Sequence, residues 1–167
     1  MITRRLLLAS GALFLSRSPL AAQSPDPVAI VNSIYNGKDR YGAAVSLQMR
    51  APHRRALSKS LAGLWKRSDD GTPAEDEPVP GFDIASMSQG MDVARADVKI
   101  ERQDGKSATV VATLIPAAPF KRNAPEENVV RYDFIRESGH WKIDDVRSFI
   151  KPDPWSLKQT LSEAVKR

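Results

Sequence analysis

Residues 97–149 constrain the fold more than any other part of the chain. Their apolar residues recur at period two, and short turn signals interrupt them. Asp97-Val98-Lys99-Ile100-Glu101 alternates polar and apolar residues, as a half-buried strand does. Gln103-Asp104-Gly105-Lys106 supplies Asp-Gly for a tight hairpin turn, and the more continuously apolar 108–115 follows as a central strand. Residues 116–125, bounded by prolines, form a loop. The strand 129–137 then sets Val130, Tyr132 and Phe134 on one face, with Arg131, Asp133 and Ile135 on the other. Ser138-Gly139 turns the chain and 140–149 returns. In that return Trp141 and Ile143 share a phase that Val146 breaks. A β-bulge near Asp144-Asp145 would put Val146 and Ser148 back on the core side. A bulge bends a sheet, and a bent sheet curls around a helix.

Helical spacing confines the helices to the two ends of the chain. Asp26 is a good N-cap and Pro27 suits the first helical position. Val28, Val31, Ile34 and Tyr35 follow at helical spacing until Asn36-Gly37 stops the helix. A second helix is predicted over 54–67, opened by Pro52, with Leu57, Leu61, Leu64 and Trp65 as its stripe. Residues 68–81 read as an acidic loop, rich in proline and opened by Asp69-Asp70-Gly71. A closing helix is predicted over 154–166, with Trp155, Leu157, Leu161 and Val165 as its apolar set. The expected fold class is therefore α+β, a curved antiparallel sheet of about four strands wrapped around N-terminal helices, with a C-terminal helix.

Residues 1–22 read as a cleavable export signal. Arg4 and Arg5 form the basic region, 6–15 the short apolar run, and Leu20-Ala21-Ala22 the cleavage site. Thr3-Arg4-Arg5-Leu6-Leu7-Leu8 is similar to a twin-arginine motif, so a periplasmic or secreted destination follows by that route or the general one. The apolar run is too short for a stable membrane anchor. Residues 23–167 then make one domain, and with no cysteine in the chain apolar burial must hold it without disulfides. Arg4, Arg5 and Arg17 leave with the signal, so the whole-chain charge of +5 falls to 22 basic against 20 acidic residues. That modest balance, and the absence of aromatics interleaved with the basic stretch, argue against a nucleic-acid partner.

Two N-terminal helices, an acidic loop and a meander ending in Gly139-His140-Trp141-Lys142-Ile143-Asp144-Asp145-Val146 carry a resemblance. So do Ile34-Tyr35, Leu57-Ser58-Lys59-Ser60-Leu61 and Gly81-Phe82-Asp83. On these residues the chain resembles an exported bacterial family of unknown function in the nuclear transport factor 2-like (cystatin-like) group. The resemblance implies a cone-shaped α+β fold with a cavity and implies no reaction.

The sequence also supplies candidate site residues. If Ser138-Gly139 is a two-residue loop, Asp133 faces Asp144, and opposed carboxylates raise one another's pKa as an acid–base pair requires. The alternative is a solvent-facing charge lattice completed by Arg131 and Lys142. Tyr35, Tyr41, Trp65, Phe82, Met87, Met91 and Tyr132 are candidates to line the mouth of a cone, where pockets form, or to fill the core. Asp69, Asp70, Glu75, Asp76 and Glu77 are candidates for an interaction loop; they lack the alternating order that wraps calcium. His53 and His140 have no metal-spaced partner, so neither a metal nor another cofactor is expected. Three functions follow. The chain is a non-enzymatic module holding a small apolar ligand or docking on another envelope protein. Alternatively it is a cavity enzyme (hydrolase, isomerase or dehydratase) using a carboxylate and a tyrosine, or an inhibitor or immunity protein of an envelope enzyme.

Overall fold

Period-two alternation and two tight turns build an antiparallel sheet of five strands in the order β1-β2-β3-β4-β5. The computed structural model describes residues 26–36, 55–73, 75–76, 79–89, 93–119, 121, 124–150 and 152–166. The candidate signal 1–22, Tyr41, His53, Glu77 and Met91 lie outside them. The strands are β1 (Val93–Gln103), β2 (Ser107–Pro116), β3 (Val129–Glu137), β4 (His140–Ile150) and β5 (Asp153–Ser156). Among the described residues three helices accompany them: α1 (Pro27–Asn36), α2 (Lys59–Gly71) and α3 (Leu157–Ala164). A 3-10 turn, Pro125–Asn128, leads into β3. The fold class is α+β.

Strand β3 matches its expected bounds, and Val130, Tyr132 and Phe134 are all buried, as their alternation requires. Ser138 and Gly139 both adopt positive φ, 50° and 81°, the backbone of a primed two-residue hairpin turn. The expected bulge is present. Phe134 pairs with Ile143 but Asp133 pairs with Asp145, so Asp144 is the extra residue and Val146 and Ser148 turn inward. The same bulge corrects the predicted Asp133–Asp144 pairing, because the inserted residue moves the partner on by one.

Helix α1 starts where Asp26 Oδ1 accepts from the Val28 N–H at 2.9 Å, and it buries Val31 and Ile34. Helix α2 departs from its expected 54–67. Leu57 forms a parallel bridge with Ile143, the Ser58 N–H donates to the Ile143 carbonyl and the Ile143 N–H to the Ala56 carbonyl, both at 2.7 Å. That pairing covers the edge of β4 and delays the helix until Ser58 caps it. At its other end α2 runs through Asp69 and Asp70 into the expected loop, since no proline interrupts it before Pro73.

The closing helix is also shorter than expected. Residues 153–156 pair with β4, Ser148 opposite Trp155 and Phe149 opposite Pro154, which adds the fifth strand to the four anticipated. Pro154 is tolerated there because β5 is an edge strand and needs no donor on its free side. Trp155 therefore belongs to the sheet, packing on Phe82 with ring centroids 5.3 Å apart, and Val165 is exposed rather than part of an apolar stripe. Leu157 and Leu161 of α3 are fully buried, as are Leu61 of α2 and Ile84 of the loop before β1.

Candidate functional site

Asp133, on the face of β3 opposite Tyr132, is the centre of a charge lattice. Its carboxylate accepts from Thr109 Oγ1 at 2.7 Å, from Arg147 Nη2 at 3.0 Å and from Arg147 Nε at closer range. Arg102 Nε donates to the Thr109 hydroxyl at 2.9 Å, and Arg131 forks onto Glu101 with Nε–Oε2 at 3.0 Å. Burial alone would raise the Asp133 carboxyl, but the hydrogen bonds from Arg147 and Thr109 and the positive charges of Arg147 and Arg102 hold it below its ordinary value. Arg131's hydrogen bond likewise lowers Glu101. A carboxylate so held is a weak base, and its two oxygens are already occupied. Lys142, the other residue expected in such a lattice, instead donates from Nζ to the Arg55 carbonyl at 2.6 Å.

Asp144 and Asp145 at the bulge serve the helices. Ser58, the N-cap of α2, donates from Oγ to Asp144 Oδ1 at 2.7 Å and accepts from the Leu61 N–H at 3.0 Å. Ser156, the N-cap of α3, donates to Asp145 Oδ2 at 2.7 Å and accepts from the Gln159 N–H at 3.1 Å. Asp145 Oδ1 takes the Lys158 N–H at 2.9 Å, Lys158 Nζ reaches Asp144 at 2.7 Å, and both Glu137 oxygens accept from the Lys59 N–H. Three sheet carboxylates thus lie at the positive ends of two helix dipoles; Glu137 and Asp145 satisfy N–H groups that helix geometry leaves without partners, and Asp144 holds the Ser58 cap and the Lys158 ammonium. The caps had a readable signal: Ser156-Leu157-Lys158-Gln159 is a Ser-x-x-Gln capping box, and Ser58 precedes an apolar helical stripe.

The aromatic candidates divide between core and edge. Tyr35 donates to the Ala85 carbonyl at 3.0 Å and its oxygen lies 2.8 Å from Tyr132 Oη, so Tyr132 is the donor between them. The rings meet edge to face, with centroids 6.3 Å apart. Burial, then the neighbouring Tyr35 and the charge of Asp83, push the Tyr132 hydroxyl well above its ordinary range, so it stays protonated. Asp83 itself holds the turn after it, accepting from Ala85 N at 3.2 Å and Ser86 N at 3.3 Å. Trp65 and Tyr132 fill the core, Met87 is half-buried against it, and Phe82 backs Trp155.

An open space lies at the end of the sheet where the 3-10 turn, β3, β4 and β5 converge. A cleft of about 350 Å³ lies between Glu126, Val129, Arg131, Arg147, Ser148, Phe149, Pro154 and Trp155. That volume is at the lower end of small-ligand sites. Val129, Phe149, Pro154 and Trp155 make its apolar wall, while Arg131 and Arg147, direct cross-strand partners, bring two guanidiniums to its side. None of the described candidates named from the sequence, Tyr35, Trp65, Phe82, Met87 and Tyr132, lines it. Arg147, Phe149 and Glu126 were missed because they converge only through the β4–β5 hairpin, which helical spacing at 154–166 concealed.

No protein-family model, curated protein or solved structure matches this chain. Asp69 and Asp70 sit in α2, where Asp70 pairs with Lys66, and Glu75 and Asp76 are exposed beyond it. Among the described residues no group of three or more His, Cys, Asp or Glu is placed to hold a metal ion, and no helix is long and apolar enough to cross a membrane.

Proposed function

We propose that the chain is an exported, non-enzymatic binding module whose ligand sits in the cleft at the β3–β4–β5 end of the sheet. The carrying observation is that cleft: an apolar wall of Val129, Phe149, Pro154 and Trp155 beside the paired guanidiniums of Arg131 and Arg147. An apolar body gains from leaving water against the wall, and a single anionic group gains a charge-assisted hydrogen bond from an arginine. The ligand class is a small apolar acid. Export rests on the signal-like 1–22, and the α+β arrangement with its bulged sheet is compatible with a nuclear transport factor 2-like cone.

The cavity-enzyme reading is weaker on this geometry. Asp133 and Tyr132 are successive residues of one strand and point to opposite faces, so this carboxylate and this tyrosine do not share a site. Isothermal titration of the purified protein with decanoate tests the proposal. Saturable binding weakened about tenfold or more by Trp155→Ala and by Arg131→Gln supports it, a loss of about 1.4 kcal/mol of binding free energy being tenfold. Unchanged affinity in both variants, or no saturable binding, refutes it.

A further inference from the structure

Strand β1 is an edge. It has β2 as its one neighbour among the described residues, and an edge strand presents a row of backbone donors and acceptors ready to pair with another chain. Along its side chains Arg95, Asp97, Lys99 and Glu101 alternate in sign, and Ala96, Val98 and Ile100 lie between them. Among the described residues Ile100 is one of three exposed large apolar side chains, and Val98 is half-buried. Register irregularities at Ala94 and Glu101 bracket the run, leaving 95–100 in regular register with β2. Bulges and charges guard an edge against indiscriminate pairing; because opposite charges directly across two strands attract and like charges repel, alternating signs also make a code that another strand can read.

The code reads itself. We infer that β1 pairs antiparallel with β1 of a second copy, about a two-fold axis through Val98, joining two five-stranded sheets into one. In that register Asp97 faces Lys99 of the second copy, Arg95 comes against Glu101 at the bulge that ends the regular run, and each pair recurs by symmetry. On the other face Ala96 meets Ile100 and Val98 meets Val98, covering Ile100, which the single chain exposes. Sliding the pairing by two residues either way destroys the match. One slip sets Arg95 against Lys99 and Asp97 against Asp97; the other sets Asp97 against Glu101 and Lys99 against Lys99. Side-chain alternation forbids slips by one residue, which would turn the apolar face outward. The charges thus select one register of one partner.

The engaged groups remain available. Arg95 and Asp97 form only an exposed in-strand pair at 3.4 Å, and Glu101, held by Arg131, is itself 42% exposed in its side chain. The inference does not rest on the cleft, although the two meet at Arg131, which lines the cleft and holds Glu101 of β1.

Sedimentation velocity on the purified protein, from micromolar to near-millimolar concentration, tests it with two charge reversals. The wild type is expected to be dimeric at the upper concentrations. Asp97→Lys sets the introduced lysine against Lys99 of the second copy, and Lys99→Glu sets the introduced glutamate against Asp97. Each variant alone should therefore raise the dimer dissociation constant about tenfold or more. Mixing the two variants restores every pair and should give a heterodimer, and the double exchange D97K/K99E should dimerise like wild type. All four positions of the code are exposed, and unchanged circular dichroism and melting temperature will show that the variants fold. A wild type monomeric throughout, or a dimer indifferent to both reversals, overturns the inference.

Discussion

The two tyrosines at the core are not equivalent, and single substitutions should separate them. Tyr35→Phe removes the acceptor for the fully buried Tyr132 hydroxyl and the donor to the Ala85 carbonyl. Tyr132→Phe leaves the Tyr35–Ala85 bond intact. A buried polar group left without a partner costs about 1–3 kcal/mol, whereas a typical hydrogen bond contributes about 1 kcal/mol net. Chemical denaturation should therefore find Tyr35→Phe the more destabilising by about 1 kcal/mol or more; the reverse order would contradict the assigned donor direction. Asp133 makes a pH prediction. Its folded-state pKa is lowered, so its contribution is full above the unfolded value of about 3.9 and is lost as pH falls through the folded one. Melting temperature should fall on acidification below about pH 5, and Asp133→Asn should be less stable near neutrality and flatten that acid limb. The acid limb staying as steep in Asp133→Asn would place the proton uptake elsewhere. These pairings were partly legible: alternation put Asp133 on the polar face, but only the bulge count assigns it to Arg147 rather than to Asp144.

At the scale of elements, the strands were more legible than the helix boundaries. Period-two alternation and Ser138-Gly139 located β3 and its turn because those signals are local. The starts of α2 and α3 escape a local reading because both are decided at a distance. Residues 56–58 and 153–156 carry reasonable helix signals, and both instead cover the edge of β4, on either side of its bulge. Tertiary pairing of this kind overrides helix propensity, which amounts to only about 0–0.7 kcal/mol per ordinary residue. The bulge carboxylates should then control both helices. Asp145→Ala removes the acceptor of the Lys158 N–H and of the Ser156 hydroxyl, and should cost about 1–2 kcal/mol, comparable with losing an N-cap. Hydrogen exchange should quicken most in α3 and β5. Protection lost evenly across the sheet would mean that Asp145 supports the strands rather than the helix start.

Across the whole molecule, the acids and bases that looked like chemistry in the sequence are largely committed to holding elements together. Asp133 is bound to Arg147 and Thr109, Asp144 and Asp145 dock helix ends, and the aromatic candidates that are described do not line the cleft. Among the described residues an edge and a cleft stay available, neither of which local patterns reveal, because each is made by residues remote in sequence or by strand order. The cleft is the proposed binding site of this chain. The most direct test is a decanoate titration followed by amide nuclear magnetic resonance of the isotopically labelled protein. The expected result is saturable shifts that cluster at Val129, Arg131, Arg147, Phe149 and Trp155 and leave Tyr35 and Tyr132 unmoved. Shifts centred on Tyr35, Tyr132 and Asp83, or a titration that never saturates, would contradict it.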